Sequence, residues 1–112
     1  MGEMNSRTEL LQGSLDLLIL KSLTAGAMHG WGISKRIREL SSAVLQINQG
    51  SLYPALYRLE RKGWIAPEWG QSPEGRKIKI YTLTEAGSEQ LVSEREQWRL
   101  FTSAVDQVLS SG

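Results

Sequence analysis

With 112 residues and a mass of 12.5 kDa, the chain has room for one small domain with an extended element, which excludes a multidomain enzyme. The sequence contains no cysteine and a single histidine, so disulfides, thiolate metal sites and a histidine metal cluster are excluded. The net charge is only +1, but residues 35–79 hold nine Lys or Arg against four Asp or Glu, and this surplus predicts a polyanionic partner.

The first predicted helix spans residues 8–24 and is apolar on nearly all faces. Leu11, Leu15 and Leu18 recur at helical spacing, and Leu17 and Leu20 lie on another face. Such a helix needs cover from more than one side, so we expect it to join both the core and a dimer interface. Its longest apolar run, residues 17–20, is far shorter than the roughly 20 residues that cross a bilayer. The sequence therefore predicts a cytoplasmic protein with no membrane partner.

A second short helix follows the glycines at 26, 30 and 32, with Ile33, Ile37 and Leu40 predicted to face inward. A third helix is predicted from Ser51, as N-cap, to Lys62. That start places Pro54 in the first turn, where a missing N–H is harmless. Its predicted buried stripe consists of Leu52, Ala55, Leu56 and Leu59, and its outward face collects Tyr53, Tyr57, Arg58 and Arg61.

Residues 64–69 and 77–83 predict two strands around a loop rich in glycine and proline. Either phase of the second strand could face inward, and Tyr81 and Leu83 are favoured because they lead into the last helix. Trp64 and Trp69 are predicted to pack in the core and the hairpin.

The last predicted helix begins after Thr84 and continues to about residue 109, a length of nearly 40 Å at about 1.5 Å per residue. Apolar residues on it recur every seven positions in two series, as in a short coiled coil: Leu91, Trp98 and Val105, and then Phe101 and Val108. This pattern predicts a homodimer.

The pattern as a whole predicts a mainly α fold with a small β-hairpin. It is a winged helix-turn-helix domain over residues 1–83, whose first helix also serves the dimer, followed by a C-terminal dimerisation helix over 84–112. Four segments in order, residues 10–20, 29–33, 50–63 and 81–87, resemble the PadR family of bacterial transcriptional regulators, in particular its short members. Trp31 stands where that family often has tyrosine. The resemblance implies homodimers whose third helices enter successive major grooves and whose wings touch adjacent backbone or minor groove, usually as repressors until an effector is sensed.

The candidate DNA-binding residues lie on the second helix, the third helix with the turn before it, and the wing. Arginine can fork onto guanine edges, hydroxyls can bond phosphates, and lysines can position the backbone. The same residues could also form an ordinary solvated face, and Tyr53 could be half buried against the wing. The set is Lys35, Arg36, Asn48, Gln49, Ser51, Tyr53, Pro54, Tyr57, Arg58, Arg61, Arg76, Lys77 and Lys79.

The candidate dimer residues lie on the first and last helices. They are Leu11, Leu15, Leu18, Leu91, Trp98, Phe101, Val105 and Val108. Trp98 and Phe101 could stack a small aromatic effector across the two-fold axis, or could simply fill the dimer seam. His29 is interpreted as a turn or packing residue rather than a pH switch.

An enzyme is not expected, because the chain lacks a cysteine nucleophile and a phosphate-binding glycine loop and has one histidine. No cofactor or metal is expected either. The predicted function is a sequence-specific DNA-binding regulator that acts as a homodimer on a two-fold symmetric operator in double-stranded DNA. The alternative is a winged-helix module that binds another protein and does not contact DNA.

Overall fold

A computed structural model describes residues 13–112 of the chain. The predicted start of the first helix at residue 8, and the candidate dimer residue Leu11, lie outside the described residues. In chain order the elements are α1 (residues 13–22 of the described part), a 3₁₀ turn (Leu23–Ala25), β1 (Met28–His29), α2 (Gly30–Leu40), α3 (Gln49–Arg61), β2 (Ile65–Gln71), β3 (Lys77–Leu83) and α4 (Glu85–Ser110). The order and type of the helices and of the hairpin confirm the predicted winged helix-turn-helix with a long final helix.

The sheet has three antiparallel strands in the order β1-β3-β2. Strands β2 and β3 pair over their whole length, from Ile65 opposite Leu83 to Gln71 opposite Lys77. The two-residue strand β1, which is too short to leave a sequence pattern, pairs Met28 with Tyr81 at the other edge of β3. The wing formed by β2 and β3 is therefore paired directly with the segment that precedes α2.

One hydrophobic core holds the helices and the base of the wing together. The stripe predicted on α3 is buried in full, and Tyr81 is the buried residue of β3, which confirms the favoured strand phase. Leu40 was predicted to face inward, but it is 63% exposed because α2 ends there and the chain turns away through Ser42 and Ala43 with positive φ. The buried apolar set is Leu15, Ile19, Leu20, Leu23, Ile33, Ile37, Leu52, Ala55, Leu56, Leu59, Ile65, Tyr81 and Leu91.

Helix α3 begins three residues before the predicted start, because Asn48 caps it instead of Ser51. The Asn48 side chain accepts a hydrogen bond from the Ser51 backbone N–H at 2.9 Å. Asparagine is as good an N-cap as serine, and it satisfies a donor that the first turn leaves without a partner. Pro54 consequently lies in the second turn, where it costs the helix one hydrogen bond. The C-terminal end agrees with prediction, since Gly63 follows with φ of 77°.

A compact joint fixes the start of α4 against the turn between α3 and β2. The Thr84 hydroxyl donates to the Gly63 carbonyl at 2.7 Å and accepts from the Gly87 N–H at 3.0 Å, so Thr84 is the predicted N-cap. Gly87 packs so closely on the Trp64 carbonyl that any Cβ there would overlap it. Beyond this joint α4 buries only Leu91, so most of its 26 residues protrude from the domain.

Candidate nucleic-acid interface

The outward face of α3 carries a group of hydroxyl, ring and guanidinium side chains. Tyr53 and Tyr57 are 45% and 58% exposed, opposite the buried leucine stripe. Arg61 donates from Nη1 to the Tyr57 hydroxyl at 3.3 Å, and its guanidinium lies 5.7 Å from the centre of that ring. The tyrosine therefore restrains the arginine on the surface, where both can reach a ligand. Ser51 and Pro54 are exposed on the same helix.

The two residues predicted before α3 have different positions. Asn48 is occupied as the helix cap, so its side-chain oxygen already has a donor. Gln49 is the first residue of α3 and is exposed, so its amide lies at the positive end of the helix dipole.

Arg58 was predicted on the exposed face of α3, but the structure turns it towards α1. Its Nη2 atom forms a hydrogen-bonded ion pair with Oδ1 of Asp16 on α1. The side chains of Arg58 and Asp16 are only 30% and 12% exposed. Burial raises the pKa of the Asp16 carboxyl, and the hydrogen bond from Arg58 lowers it by a smaller amount. Arg58 therefore links the third helix to the first helix.

The tip of the wing is a tight turn that presents two cations. The turn is closed by hydrogen bonds from the Gly75 N–H to the Ser72 carbonyl and from the Arg76 N–H to the Ser72 hydroxyl. Gly75 has φ of 82°, a conformation that favours glycine. Arg76 and Lys77 follow immediately and are exposed, so the turn holds both charges at the edge of the wing.

Lys79 was predicted in the same basic set, and the structure gives it a partner on α3. Its Nζ lies 3.0 Å from the Glu60 carboxylate and 5.8 Å from the centre of the Tyr81 ring. The hydrogen bond with Glu60 raises the pKa of Lys79. Lys79 therefore fastens the wing to the third helix.

Helix α2 contributes the other predicted cations. Lys35 lies 3.8 Å from Glu39 and 5.3 Å from the centre of the exposed Trp31 ring. Arg36 is half buried, and within residues 13–112 its Nε has no hydrogen-bond acceptor. His29 caps this helix, accepting from the Gly32 N–H at 3.2 Å, which agrees with the interpretation of His29 as a turn residue.

Tyr53 joins α3 to the start of α2. The Tyr53 ring lies so close to Gly30 that a Cβ added to Gly30 would be 3.0 Å from the ring. Tyr53 is therefore both a surface residue of α3 and a spacer between the two helices.

The predicted dimer residues divide into two groups. Leu15 and Leu91 are buried in the core of their own chain, which leaves them little surface for an intermolecular contact. Leu18 is half buried. On α4, Trp98 and Phe101 are 45% and 47% exposed with their rings 6.0 Å apart, and Val105 and Val108 are exposed further along.

A pocket of about 360 Å³ lies beside Trp98, between α1 and the segment that leads into α3. Its wall is mainly apolar and includes Leu15, Leu18, Leu45 and Ile47. The same pocket touches Asn48 and Ser51, the cap of α3. Trp98 therefore lines a space that adjoins the start of the third helix.

Three side chains that matter here were not selected from the sequence. Asp16 lies in the apolar first helix, and only the fold places it opposite Arg58. Likewise, only the fold brings Glu60 of α3 into an ion pair with Lys79 of the wing. Trp69 was predicted to pack in the hairpin, and it does lie against Lys77 of β3, but it is 61% exposed.

Two negative findings concern the described part of the chain. No helix within residues 13–112 is both long enough and apolar enough to cross a membrane. Over the same residues, no three histidine, aspartate or glutamate side chains are grouped so that they could hold a metal ion.

Comparisons with known proteins agree with this architecture. The chain is 31% identical over 87 residues to a transcriptional regulator of Mycobacterium tuberculosis, covering 78% of each chain. A solved transcriptional regulator from Clostridium thermocellum superposes with a TM-score of 0.81 at 28% identity, over 88% of this chain and 96% of the other. A solved PadR-like regulator from Bacillus cereus superposes with a TM-score of 0.75 at 26% identity, over 93% of this chain and 99% of the other. These relatives are regulators of transcription rather than enzymes.

The family comparison is the more direct one. Residues 19–93 match the model of the transcriptional regulator PadR-like family. That segment runs from the core part of α1 through α3 and the wing to the buried start of α4, so it includes every element that shapes the exposed face of α3. The chain therefore belongs to the PadR-like family of transcriptional regulators.

Proposed function

We propose that the protein is a homodimeric, sequence-specific DNA-binding repressor, with α3 in the major groove and the wing on the neighbouring backbone. The observation that carries this proposal is the exposed face of α3, where Tyr53, Tyr57 and Arg61 stand clear of the core. An exposed helix of this kind beside a basic wing has the dimensions and charge that a major groove accepts. Such a protein acts where the chromosome is, which supports a cytoplasmic location.

The residues assigned to base contact are fewer than the sequence suggested. Arg61, Tyr57, Tyr53, Pro54, Ser51 and Gln49 remain available on α3, while Arg58 is held by Asp16. Arg76, Lys77 and Lys35 are assigned to phosphates, because they are exposed on the wing and α2. Asn48 and Lys79 are assigned to positioning, since one caps α3 and the other joins the wing to it.

The homodimer is proposed from the protruding part of α4. Trp98, Phe101 and Val105 repeat along one side of α4 and remain 45%, 47% and 37% exposed in the single chain. Leaving such a stripe in water is costly, and pairing it with a second copy removes it. Two copies related by a two-fold axis would present two α3 helices, which implies a two-fold symmetric operator.

A small aromatic effector is proposed at Trp98. Phe101 lies beside it, and the apolar pocket next to Trp98 reaches the residues that cap α3. A flat ligand there would act close to the start of the helix that is proposed to enter the groove. Naphthol is a suitable probe, because it is planar, small and mainly apolar.

The DNA proposal is tested by fluorescence anisotropy with a labelled duplex from the gene's own upstream region, against a scrambled duplex, at two salt concentrations. The expected result is at least about a hundredfold preference for the upstream duplex and strong salt sensitivity. Arg61→Glu should abolish that preference, whereas the matched reversal Arg99→Glu on α4, at an exposed side chain, should retain it. Lys77→Ala should lower the log–log salt slope by about one.

The outcomes separate the two classes of function considered from the sequence. Equal weak binding to both duplexes would contradict sequence-specific binding. If no duplex binds even at low salt, the DNA proposal fails, and a module that binds another protein becomes the better description.

The dimer and the effector have separate tests. Light scattering at micromolar concentration should give twice the mass of 12.5 kDa, and a monomer would contradict the dimer. Naphthol should quench tryptophan fluorescence in the native protein and lose that effect in Trp98→Ala. Quenching that persists in a Trp98→Ala dimer would remove this residue from the effector site.

A further inference from the structure

Trp69 is the most exposed of the four tryptophans, with 61% of its surface in contact with water. A single exposed apolar side chain is ordinary on a protein surface, so exposure alone implies no function. Its position on the wing, however, is fixed by the strand pairing, and that position is informative.

The strand register places Trp69 on the side of the wing that faces α3. Trp69 lies directly opposite Lys79 on β3, and residues opposite each other in an antiparallel pair project from the same face. Lys79 reaches Glu60 on α3 from that face, and Tyr81, two residues further along, is buried on it. Trp69 therefore lies on the α3-facing side of the wing, further from the core than Tyr81.

Cations border the Trp69 ring. The Lys77 ammonium lies 5.5 Å from the ring centre, and Lys77 shares the face because it is two residues from Lys79. Arg76 precedes it in the turn and is exposed. An exposed indole ring beside these cations suits a ligand that has both apolar and anionic parts. The sugar–phosphate backbone of DNA is such a ligand.

We propose that Trp69 is a DNA-contacting residue, whose indole packs on the deoxyribose edge of the minor groove beside the α3 site while Lys77 binds the adjacent phosphate. This inference deepens the proposed DNA-binding function and rests on it. Lys77 covers one face of the ring, so the other face and the edge are left for the sugar. Packing against one wall of the groove needs only that exposed surface, whereas insertion between bases needs both faces.

The direct test is ¹⁹F NMR of the full chain labelled with 5-fluorotryptophan. Single Trp→Phe variants assign the four resonances, and the upstream duplex is then titrated. The Trp69 resonance should shift or broaden in step with binding measured by anisotropy. Trp64, which is partly buried at the base of the wing, serves as the internal control and should stay in place.

The affinity test compares Trp69→Ala, Trp69→Phe and Lys77→Ala. Loss of the apolar contact in Trp69→Ala should weaken binding about tenfold. Its salt slope should stay near that of the native protein, since no charge is removed, whereas Lys77→Ala should lower the slope by about one. Trp69→Phe should restore most of the affinity. An unchanged thermal midpoint of Trp69→Ala would show that the fold is intact, as its exposure leads us to expect.

The outcomes distinguish this inference from the function on which it rests. If the native protein prefers its upstream duplex but Trp69→Ala binds as tightly, or the Trp69 resonance does not respond, the inference is overturned and the proposed function stands. A native protein that binds no duplex at low salt overturns both.

Discussion

The ion pair between Asp16 and Arg58 offers the most informative perturbation of the fold, because it joins the first helix to the third. Arg58→Ala would leave the Asp16 carboxylate in a site that is 12% exposed, with its principal partner removed. Breaking a fully buried pair costs about 3–5 kcal/mol, and the partial exposure of Arg58 reduces this to about 2–3 kcal/mol. Asp16→Ala should cost less, about 1–2 kcal/mol, because the remaining guanidinium can turn towards water.

The double variant Asp16→Ala/Arg58→Ala should be less destabilised than the sum of the two single variants. With both charges gone, no unpaired ion remains, so we expect a coupling energy of about 2 kcal/mol. Lys35 and Glu39 provide a matched control on α2, since that pair is 3.8 Å apart with both side chains more than half exposed. Its coupling energy should be below about 0.5 kcal/mol.

The assay is urea unfolding of all the variants at one fixed protomer concentration. The concentration must be fixed because the apparent stability of a dimer depends on it. A coupling energy for Asp16 and Arg58 no larger than that of the control pair would refute the reasoning. It would show that Arg58 does not depend on Asp16 for its place, and Arg58 would return to the set of candidate DNA contacts.

Three further predictions follow from single contacts. Burial raises the pKa of Asp16, so the folded protein holds the carboxyl proton of Asp16 more tightly than the unfolded chain does. The stability of the native protein relative to Asp16→Asn should therefore rise as the pH falls from above that raised pKa towards about 3.9. A difference in urea midpoint between the two proteins that does not change with pH would contradict this prediction. Gly87→Ala should cost about 2–3 kcal/mol, since its Cβ would overlap the Trp64 carbonyl, and a thermal midpoint equal to that of the native protein would show that α4 shifts freely. Asn48→Ala should cost about 1 kcal/mol in urea unfolding through loss of the α3 cap, with Asn48→Asp, which keeps an acceptor for the Ser51 N–H, close to native; equal losses in both would contradict the capping role.

Local chemistry in the sequence determined the elements. The spacing of Leu52, Leu56 and Leu59 predicted the buried face of α3, and Thr84 was correctly predicted to begin α4. These features depend on residues within a few positions of one another, and helical and strand periodicity record them directly. The predicted start of α3 was too late in the chain, because both Asn48 and Ser51 can cap a helix. The position of Pro54 favoured Ser51, whereas Asn48 is the cap in the structure.

Only the tertiary structure decided which charged and aromatic side chains remain available to a partner. Arg58 and Arg61 both lie outside the buried stripe on a helical projection, yet one meets Asp16, 42 residues earlier in the chain, and the other stays at the surface. Lys79 and Lys77 similarly differ, because Glu60 reaches only the first. The exposure of Trp69 depends on where the core ends beneath the wing. Such outcomes arise from contacts between distant segments, for which the periodicity of one segment carries no information.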